Sequence, residues 1–130
     1  MRARYSPGME ELDVVNSWRE LLARHAATWC TLERELGEKH GLGVSDFEVL
    51  DRMAESEHGG YRVQELADTV HLSQSALSRL ISRLEKAGLV CRSMCAEDRR
   101  GVFVKITEAG IERHRQALPT HRAVLSTSLS

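Results

Sequence analysis

Apolar residues recur at steps of three and four over residues 10–40 of the chain. The series consists of Leu12, Val15, Trp18, Leu22, Ala26, Trp29, Leu32 and Leu36. This spacing predicts a long amphipathic helix that ends at Gly41-Leu42-Gly43. A helix of about 30 residues is longer than a small domain needs. We therefore expect part of its apolar face to contact a partner chain, with self-association as the natural outcome.

Shorter helices are predicted in the middle of the chain. The first should begin at Ser45, because residues 45–48 (Ser-Asp-Phe-Glu) have capping-box spacing, and it should run to about Ser56. A short helix should cover residues 62–70, and Ser73 is a good N-cap for the next helix, which should stop at Gly88. A short helix, a tight turn and a polar-faced helix form a helix-turn-helix.

The last third of the chain predicts a β-hairpin followed by helix. Residues 89–92 and 102–106 should be two short strands joined by a charged turn. Thr107 can cap a helix that should stop before Pro119. Because proline is tolerated in a first helical turn, a further helix is expected over residues 120–129.

These elements together predict one domain. The 130 residues are 42% hydrophobic, which is enough to bury a core. The expected fold class is mainly α with a small β-hairpin. In it, a winged helix-turn-helix over residues 44–106 lies between N- and C-terminal dimerisation helices, over residues 10–40 and 107–130.

The helix that follows Ser73 has two different faces. Successive helical residues are 100° apart, so one apolar arc collects Ala76, Leu77, Leu80, Ile81 and Leu84. The opposite face consists of Gln74, Ser75, Ser78, Arg79, Ser82 and Arg83. No acidic residue occurs in this helix before Glu85, so its first turns carry nothing that repels phosphate. The pattern predicts a DNA-reading helix, and the hairpin after it would be a basic wing.

Charge is unevenly distributed along the chain. The net charge is −1, which alone would argue against a nucleic-acid partner. Residues 8–58, however, hold twelve acids against five bases, whereas residues 79–105 hold seven bases against three acids. The basic excess coincides with the predicted reading helix and wing, which favours DNA binding over an ordinary solvated surface.

Four segments resemble the MarR family of winged helix-turn-helix transcriptional regulators in their order and spacing. They are residues 72–80 (Leu-Ser-Gln-Ser-Ala-Leu-Ser-Arg-Leu), 84–90 (Leu-Glu-Lys-Ala-Gly-Leu-Val), 98–100 (Asp-Arg-Arg) and 106–110 (Ile-Thr-Glu-Ala-Gly). The resemblance implies a homodimer that binds double-stranded DNA, with its reading helices in successive major grooves and its wings in flanking minor grooves. It also implies a repressor that leaves a pseudo-palindromic operator when a small-molecule effector binds or when it is oxidised.

The predicted DNA-binding residues lie on the reading helix and at the wing tip. Bases or phosphates of the major groove would meet Ser73, Gln74, Ser75, Ser78, Arg79 and Arg83. Among them, Arg79 is the leading candidate for a bidentate contact with guanine. By resemblance, Arg100 enters the minor groove, Asp98 orients it through a bidentate pair, and Arg99 contacts phosphate. Alternatively, Asp98 and Arg100 form a surface pair that only stabilises the turn, by less than about 1 kcal/mol.

Cysteine chemistry offers an alternative interpretation. Some members of the resembled family sense peroxide through a cysteine of the first helix, and Cys30 lies in that helix beside Trp29. Cys30 is about 100° from the middle of the apolar stripe, so it can equally be a small hydrophobic residue that flanks the core or the dimer contact. A thiol-based sensor therefore stays open. Cys91 and Cys95 lie in or beside the wing without a zinc-ligand pattern, and we interpret them as structural.

No metal, cofactor or enzymatic site is expected. The six histidines are scattered outside any HExxH or Cys-His motif. Packing of the terminal helices could still bring His114 and His121 towards His25 or His40. A glycine-rich phosphate loop, a nucleophile elbow and a paired-carboxylate constellation are all missing from the sequence, which argues against an enzyme.

Location and partners complete the expectations. The apolar runs are too short to span a bilayer and no signal-peptide core follows Met1, so we expect a cytoplasmic protein without membrane contact. The C-terminal helix is shorter than is usual in the resembled family, which makes dimerisation less secure than DNA binding. A second interpretation keeps the fold but uses the acidic helical face to bind another regulator, with weak DNA binding.

Overall fold

A computed structural model describes residues 4–93 and 103–130. In these ranges the elements follow one another as α1 (Met9–His40), α2 (Val44–Glu55), β1 (Gly60–Arg62), α3 (Val63–Val70), α4 (Gln74–Lys86), β2 (Val90–Ser93), β3 (Phe103–Ile106) and α5 (Glu108–Leu129). The strands form an antiparallel sheet in the order β1-β3-β2. The mainly α class with a β-hairpin is therefore confirmed, and the sheet has one more strand than the sequence predicted.

Local capping fixes the ends of the helices around the reading helix. The Ser73 hydroxyl accepts a hydrogen bond from the backbone N–H of Ala76 at 3.2 Å, which starts α4. Gly88 has a φ of 80°, in the left-handed region that glycine reaches without strain, and turns the chain out of α4. The Thr107 hydroxyl accepts from Gly110 N–H at 3.1 Å and starts α5. All three predicted ends are confirmed.

Helix α2 begins earlier than predicted. The N-cap is Gly43 rather than Ser45, and α2 starts at Val44. The reason is a carboxylate placed three residues after Gly43: Asp46 Oδ2 accepts from the Gly43 N–H at 2.8 Å. A second carboxylate, Glu33 Oε1 from α1, accepts from the Val44 N–H at 2.9 Å. The α2 N-terminus is therefore capped by acids, one of which comes from a distant part of the chain.

Helix α5 is continuous, and the predicted break at Pro119 is wrong. The helix runs from Glu108 to Leu129 with Pro119 inside it. An internal proline costs a backbone hydrogen bond and crowds the preceding turn. Here the residues on both sides of it are anchored, because Ala117 and His121 are buried. Tertiary packing therefore holds the helix through the proline.

The core is built around α2. Its Phe47, Val49, Leu50 and Met53 are fully buried. They belong to one apolar cluster with residues of the helix-turn-helix, the sheet and the terminal helices, including Leu66, Leu77, Ile81, Val104, Ala117 and Leu36. The apolar arc predicted for α4 thus faces this core and leaves the polar face of α4 outside.

Helix α1 divides into two halves. The buried residues of this helix, Thr28, Leu32 and Leu36, all lie in its second half, where it packs on α5. Over residues 9–27 every side chain is exposed except Val15, which is half-buried. Large apolar side chains such as Trp18, Leu21 and Leu22 are therefore open to solvent, at 56%, 60% and 45% of their full area. The first half of α1 therefore projects from the domain with almost all of its side chains open to solvent.

No helix in the described ranges is long and apolar enough to cross a bilayer.

Candidate nucleic-acid interface

The outer face of α4 carries the predicted reading residues. Leu77, Leu80, Ile81 and Leu84 are buried and fix the helix on the core. Exposed on the opposite side are Ser73, Gln74, Ser75, Ser78, Arg79 and Arg83. The first turn of α4 contains no acidic residue. The face therefore offers hydroxyl, amide and guanidinium groups to a groove without a carboxylate at its leading end.

A shallow groove of about 370 Å³ runs along this face. It is lined by Ser78, Arg79, Ser82, Arg83 and Lys86. Three of the five lining residues are cations, and the others carry small hydroxyls. Cations with short polar neighbours suit a phosphate backbone beside base edges.

Arg92 joins this face from the sheet, although sequence reasoning did not place it there. Its Nη2 donates to Ser82 Oγ at 2.8 Å, and its Nε lies 3.8 Å from Glu85 Oε1. These contacts tie β2 to the outer face of α4. A sequence signal could have found Arg92. It belongs to the basic stretch of residues 79–105 and follows the buried pair Leu89-Val90 by two residues.

Among the predicted contact residues, Arg83 is bound to a distant element, α2. Its Nη2 donates to Asp46 Oδ1 at 2.5 Å. The Arg83 side chain keeps 62% of its area exposed, whereas the Asp46 side chain keeps 10%. The guanidinium therefore extends over the surface while one of its N–H groups is bound to a buried carboxylate.

The wing is described at its base. Strands β2 and β3 pair from Val90 with Ile106 to Ser93 with Phe103. The predicted wing-tip residues Asp98, Arg99 and Arg100 lie outside the described residues, as does Cys95. At this base, Arg92 of β2 contacts Ser82 of α4, so the described part of the hairpin lies beside the reading helix.

The comparisons with known proteins place this architecture in a family. A family model described as "MarR family" matches residues 45–102. The crystal structure of AbsC, a MarR family transcriptional regulator from Streptomyces coelicolor, has 34% sequence identity and a TM-score of 0.84, with 97% of this chain and 82% of AbsC covered. The chain belongs to the MarR family.

Other members of the MarR family are similar over most of the chain. Sco3205 from Streptomyces coelicolor, solved in complex with DNA, has 30% identity and a TM-score of 0.84, covering 98% of this chain and 78% of Sco3205. The transcriptional regulator MhqR of Bacillus subtilis is 30% identical over 92 residues, which is 71% of this chain. The chain spans about three-fifths of the curated relatives it matches, 62% of MhqR and 59% of the Bacillus subtilis repressor MdtR.

Histidines of this MarR family chain join α5 to α2. His114 Nε2 lies 2.7 Å from Asp51 Oδ1, and His121 Nε2 lies 3.0 Å from Glu48 Oε1. Both rings stack on Phe47, with ring centroids 5.4 and 4.3 Å away. The sequence left open that these histidines approach His25 or His40. In the structure they pair with acids of α2 instead. Among the residues that the structure describes, no group of three or more His, Cys, Asp or Glu side chains could hold a metal ion.

Two neighbouring cavities flank the junction of α1 and α2. One, of about 390 Å³, is lined by His25, Trp29, Ser45, Glu48, Arg52, Thr69, Val70, His71 and Leu72. The other, of about 340 Å³, is lined mainly by apolar groups of Leu21, Arg24, His25, Thr28, Trp29, Leu32, Val44, Glu48, Leu125 and Leu129. The Thr28 hydroxyl is buried without a hydrogen-bond partner in the described structure. An apolar cavity that also has polar groups such as His25 and Glu48 in its lining can take a small organic molecule.

Cys30 is an exposed side chain on α1, and Cys91 is an exposed side chain on β2. Both are free thiols. Neither side chain is therefore buried in the core of the isolated chain, and the interpretation of Cys30 as a small residue that flanks the core stays a prediction. Its role at a dimer contact and its role as a sensor are both still predictions.

Proposed function

We propose that this chain is a sequence-specific, DNA-binding transcriptional regulator that reads the major groove with α4. The observation that supports this most directly is the outer face of α4, which is capped at Ser73, has no acidic residue in its first turn and is fixed on the core by the opposite, apolar face. A similar MarR family protein, Sco3205, was solved in complex with DNA. The winged helix-turn-helix of residues 44–106 is accordingly the proposed DNA-binding region.

Each side chain has a proposed part in the complex. Arg79 contacts a guanine edge, and Ser73, Gln74, Ser75 and Ser78 make shorter contacts with bases or backbone. Arg83 meets a phosphate. At the wing tip, Arg100 enters the minor groove, Asp98 orients it, and Arg99 meets phosphate. These proposals predict that Arg79 governs discrimination between sequences, whereas the phosphate contacts govern overall affinity.

The proposed assembly is a homodimer joined through residues 10–40 and 107–130. Its support is the projecting first half of α1, about 28 Å long at 1.5 Å per residue. Exposed apolar side chains of this size are costly in water and mark a surface that a partner covers. Leu129 of α5, which is 50% exposed, adds to this surface, because it lines the same cavity as Leu21. A two-fold dimer would then present two α4 helices to half-sites about 10 bp apart.

A small organic molecule is the proposed effector, and repression the proposed effect. The cavities between α1, α2 and the end of α3 support this, since His25, Trp29 and Glu48 line both of them. The family member CouR from Rhodococcus jostii, 27% identical to this chain, was solved bound to p-coumaroyl-CoA. A ligand in the cavity beside His71 would touch the turn that leads into α4 and so change the pose of the reading helix.

Oxidation of Cys30 is a second proposed release signal, because the thiol is exposed beside Trp29. Cys30→Ser separates the two signals. With the dimer bound to DNA, peroxide should release the unaltered protein but not this variant. Release of both proteins would exclude Cys30 as the sensor.

The test of the proposed function is selection of binding fragments from genomic DNA under reducing conditions, followed by footprinting. A protected pseudo-palindrome of about 16–20 bp is expected. Arg79→Ala should lose discrimination between this site and a scrambled duplex. Arg34→Ala removes an arginine whose side chain is 60% exposed on α1 and should keep that discrimination. Binding that is uniform over all sequences and steeply salt-dependent would refute the regulator and favour an interaction module with weak DNA binding.

A further inference from the structure

A buried carboxylate lies directly beneath the reading helix. Asp46, at the start of α2, keeps 7% of its area exposed. Its two oxygens have different partners. Oδ2 accepts from the Gly43 N–H at 2.8 Å, and Oδ1 accepts from Arg83 Nη2 at 2.5 Å. One side chain therefore both caps α2 and binds an arginine of α4.

The geometry makes Asp46 the fixed partner and Arg83 the oriented one. The carboxylate is held by the α2 backbone inside the protein, so it cannot follow the arginine outwards. Arg83 remains 62% exposed, and a guanidinium has five N–H groups, of which the Asp46 contact uses one. The other N–H groups stay available on the groove lined by Arg79 and Lys86.

We propose that Asp46 is a positioning residue for DNA binding, which holds the Arg83 guanidinium in the direction from which it meets a phosphate. This inference rests on the proposed function. A free arginine loses rotamer freedom when it binds, and that loss weakens the complex. An arginine that is already tethered loses less. Because the tether uses a single N–H, it does not have to break when the phosphate arrives.

A second acid at the same helix end provides a matched control. Glu33 Oε1 accepts from the Val44 N–H at 2.9 Å, next to the N–H that Asp46 caps. Asp46→Asn and Glu33→Gln each remove one negative charge and keep an oxygen that can accept the backbone hydrogen bond. Only the first change removes the charged partner of Arg83.

The experiment is a double-mutant cycle on the footprinted duplex. Affinities for that duplex and for a scrambled one are measured with the unaltered dimer, Asp46→Asn, Arg83→Ala, the double variant and Glu33→Gln. We expect Asp46→Asn and Arg83→Ala each to weaken specific binding by about tenfold, and the double variant to be no weaker than Arg83→Ala. Glu33→Gln should stay within about twofold. Binding to the scrambled duplex should fall in the same direction in Asp46→Asn and Arg83→Ala, because a phosphate contact contributes to affinity for every sequence.

Several outcomes would overturn the inference. Unchanged or tighter specific binding by Asp46→Asn would mean that the carboxylate competes with phosphate. Additive losses in the double variant, or an equal loss in Glu33→Gln, would mean that Asp46 acts only as a helix cap. If the unaltered protein discriminates no sequence at all, the proposed function fails first and the inference fails with it.

One measurement does not depend on the folding of a variant. Nitrogen-15 relaxation of the arginine side-chain Nε groups in the DNA-free protein reports how ordered each guanidinium is. Arg83 should be clearly more rigid than Arg79, which shares its exposed face. Equal mobility of the two side chains would refute a tether in solution.

Discussion

Replacing Trp18 on the projecting half of α1 tests the proposed dimer most severely. Trp18 is 56% exposed in the isolated chain. A tryptophan side chain has about 200 Å² of surface, so about 110 Å² is available to a partner. At about 25 cal/mol per Å², covering it contributes about 2.8 kcal/mol, of which alanine would keep roughly a quarter. Trp18→Ala should therefore cost about 2 kcal/mol in each protomer.

A two-fold dimer contains this residue twice, which doubles the effect. A loss of about 4 kcal/mol corresponds to an increase of almost three orders of magnitude in the dimer dissociation constant. Sedimentation equilibrium over a wide range of concentrations measures that constant. Glu20→Ala is the control, because Glu20 is exposed and lies 200° away around α1. It should change the constant by less than about threefold. If Trp18→Ala also shifts it by less than about tenfold, the exposed face of α1 is not the dimer surface.

Further predictions concern stability. Phe47→Ala should lower the free energy of unfolding by about 3–5 kcal/mol in urea titrations, because Phe47 is fully buried in the core. Gly110→Ala should cost about 1–3 kcal/mol in the same assay, since its new Cβ would collide with the Leu89 carbonyl oxygen; an unchanged midpoint would contradict that contact. Hydrogen bonding from Arg115 holds the pKa of Glu112 below its ordinary value. Glu112 therefore stabilises the fold above its unfolded pKa and loses that effect as pH falls through the lowered value, so the melting temperature of Glu112→Gln should depend less on pH in acid.

Local signals explain what could be predicted from the sequence. The cap at Ser73, the apolar arc of α4 and the turn at Gly88 each depend on residues within a few positions of one another. The glycine in the segment that resembles the MarR family has a physical reason as well. Gly110 lies so close to the Leu89 carbonyl oxygen that no side chain fits there. In this chain, the glycine of that segment thus allows the start of α5 to pack against Leu89, the residue before β2.

Contacts between distant segments explain what could not be predicted. At the start of α2, the Val44 N–H is bound by Glu33 from α1, and the continuity of α5 through Pro119 depends on packing on both sides of it. Strand β1 is three residues long, too short to show alternation. The pairing of Arg83 with Asp46 joins residues 37 positions apart, which no sequence period reveals.

The uninterrupted course of α5 also limits which operators can be read. Its first turn touches the residue before β2, and the helix packs on α1, so in the proposed homodimer one continuous helix would connect the DNA-binding region with the segment that meets a second copy. Such a dimer would hold its two α4 helices at a fixed distance from each other. One base pair inserted between half-sites would rotate the second by about 34° and move it about 3.4 Å, so a dimer with a fixed distance between its reading helices should lose affinity for that duplex. New target sequences are then reached by changing side chains on α4, while the distance between half-sites stays constant.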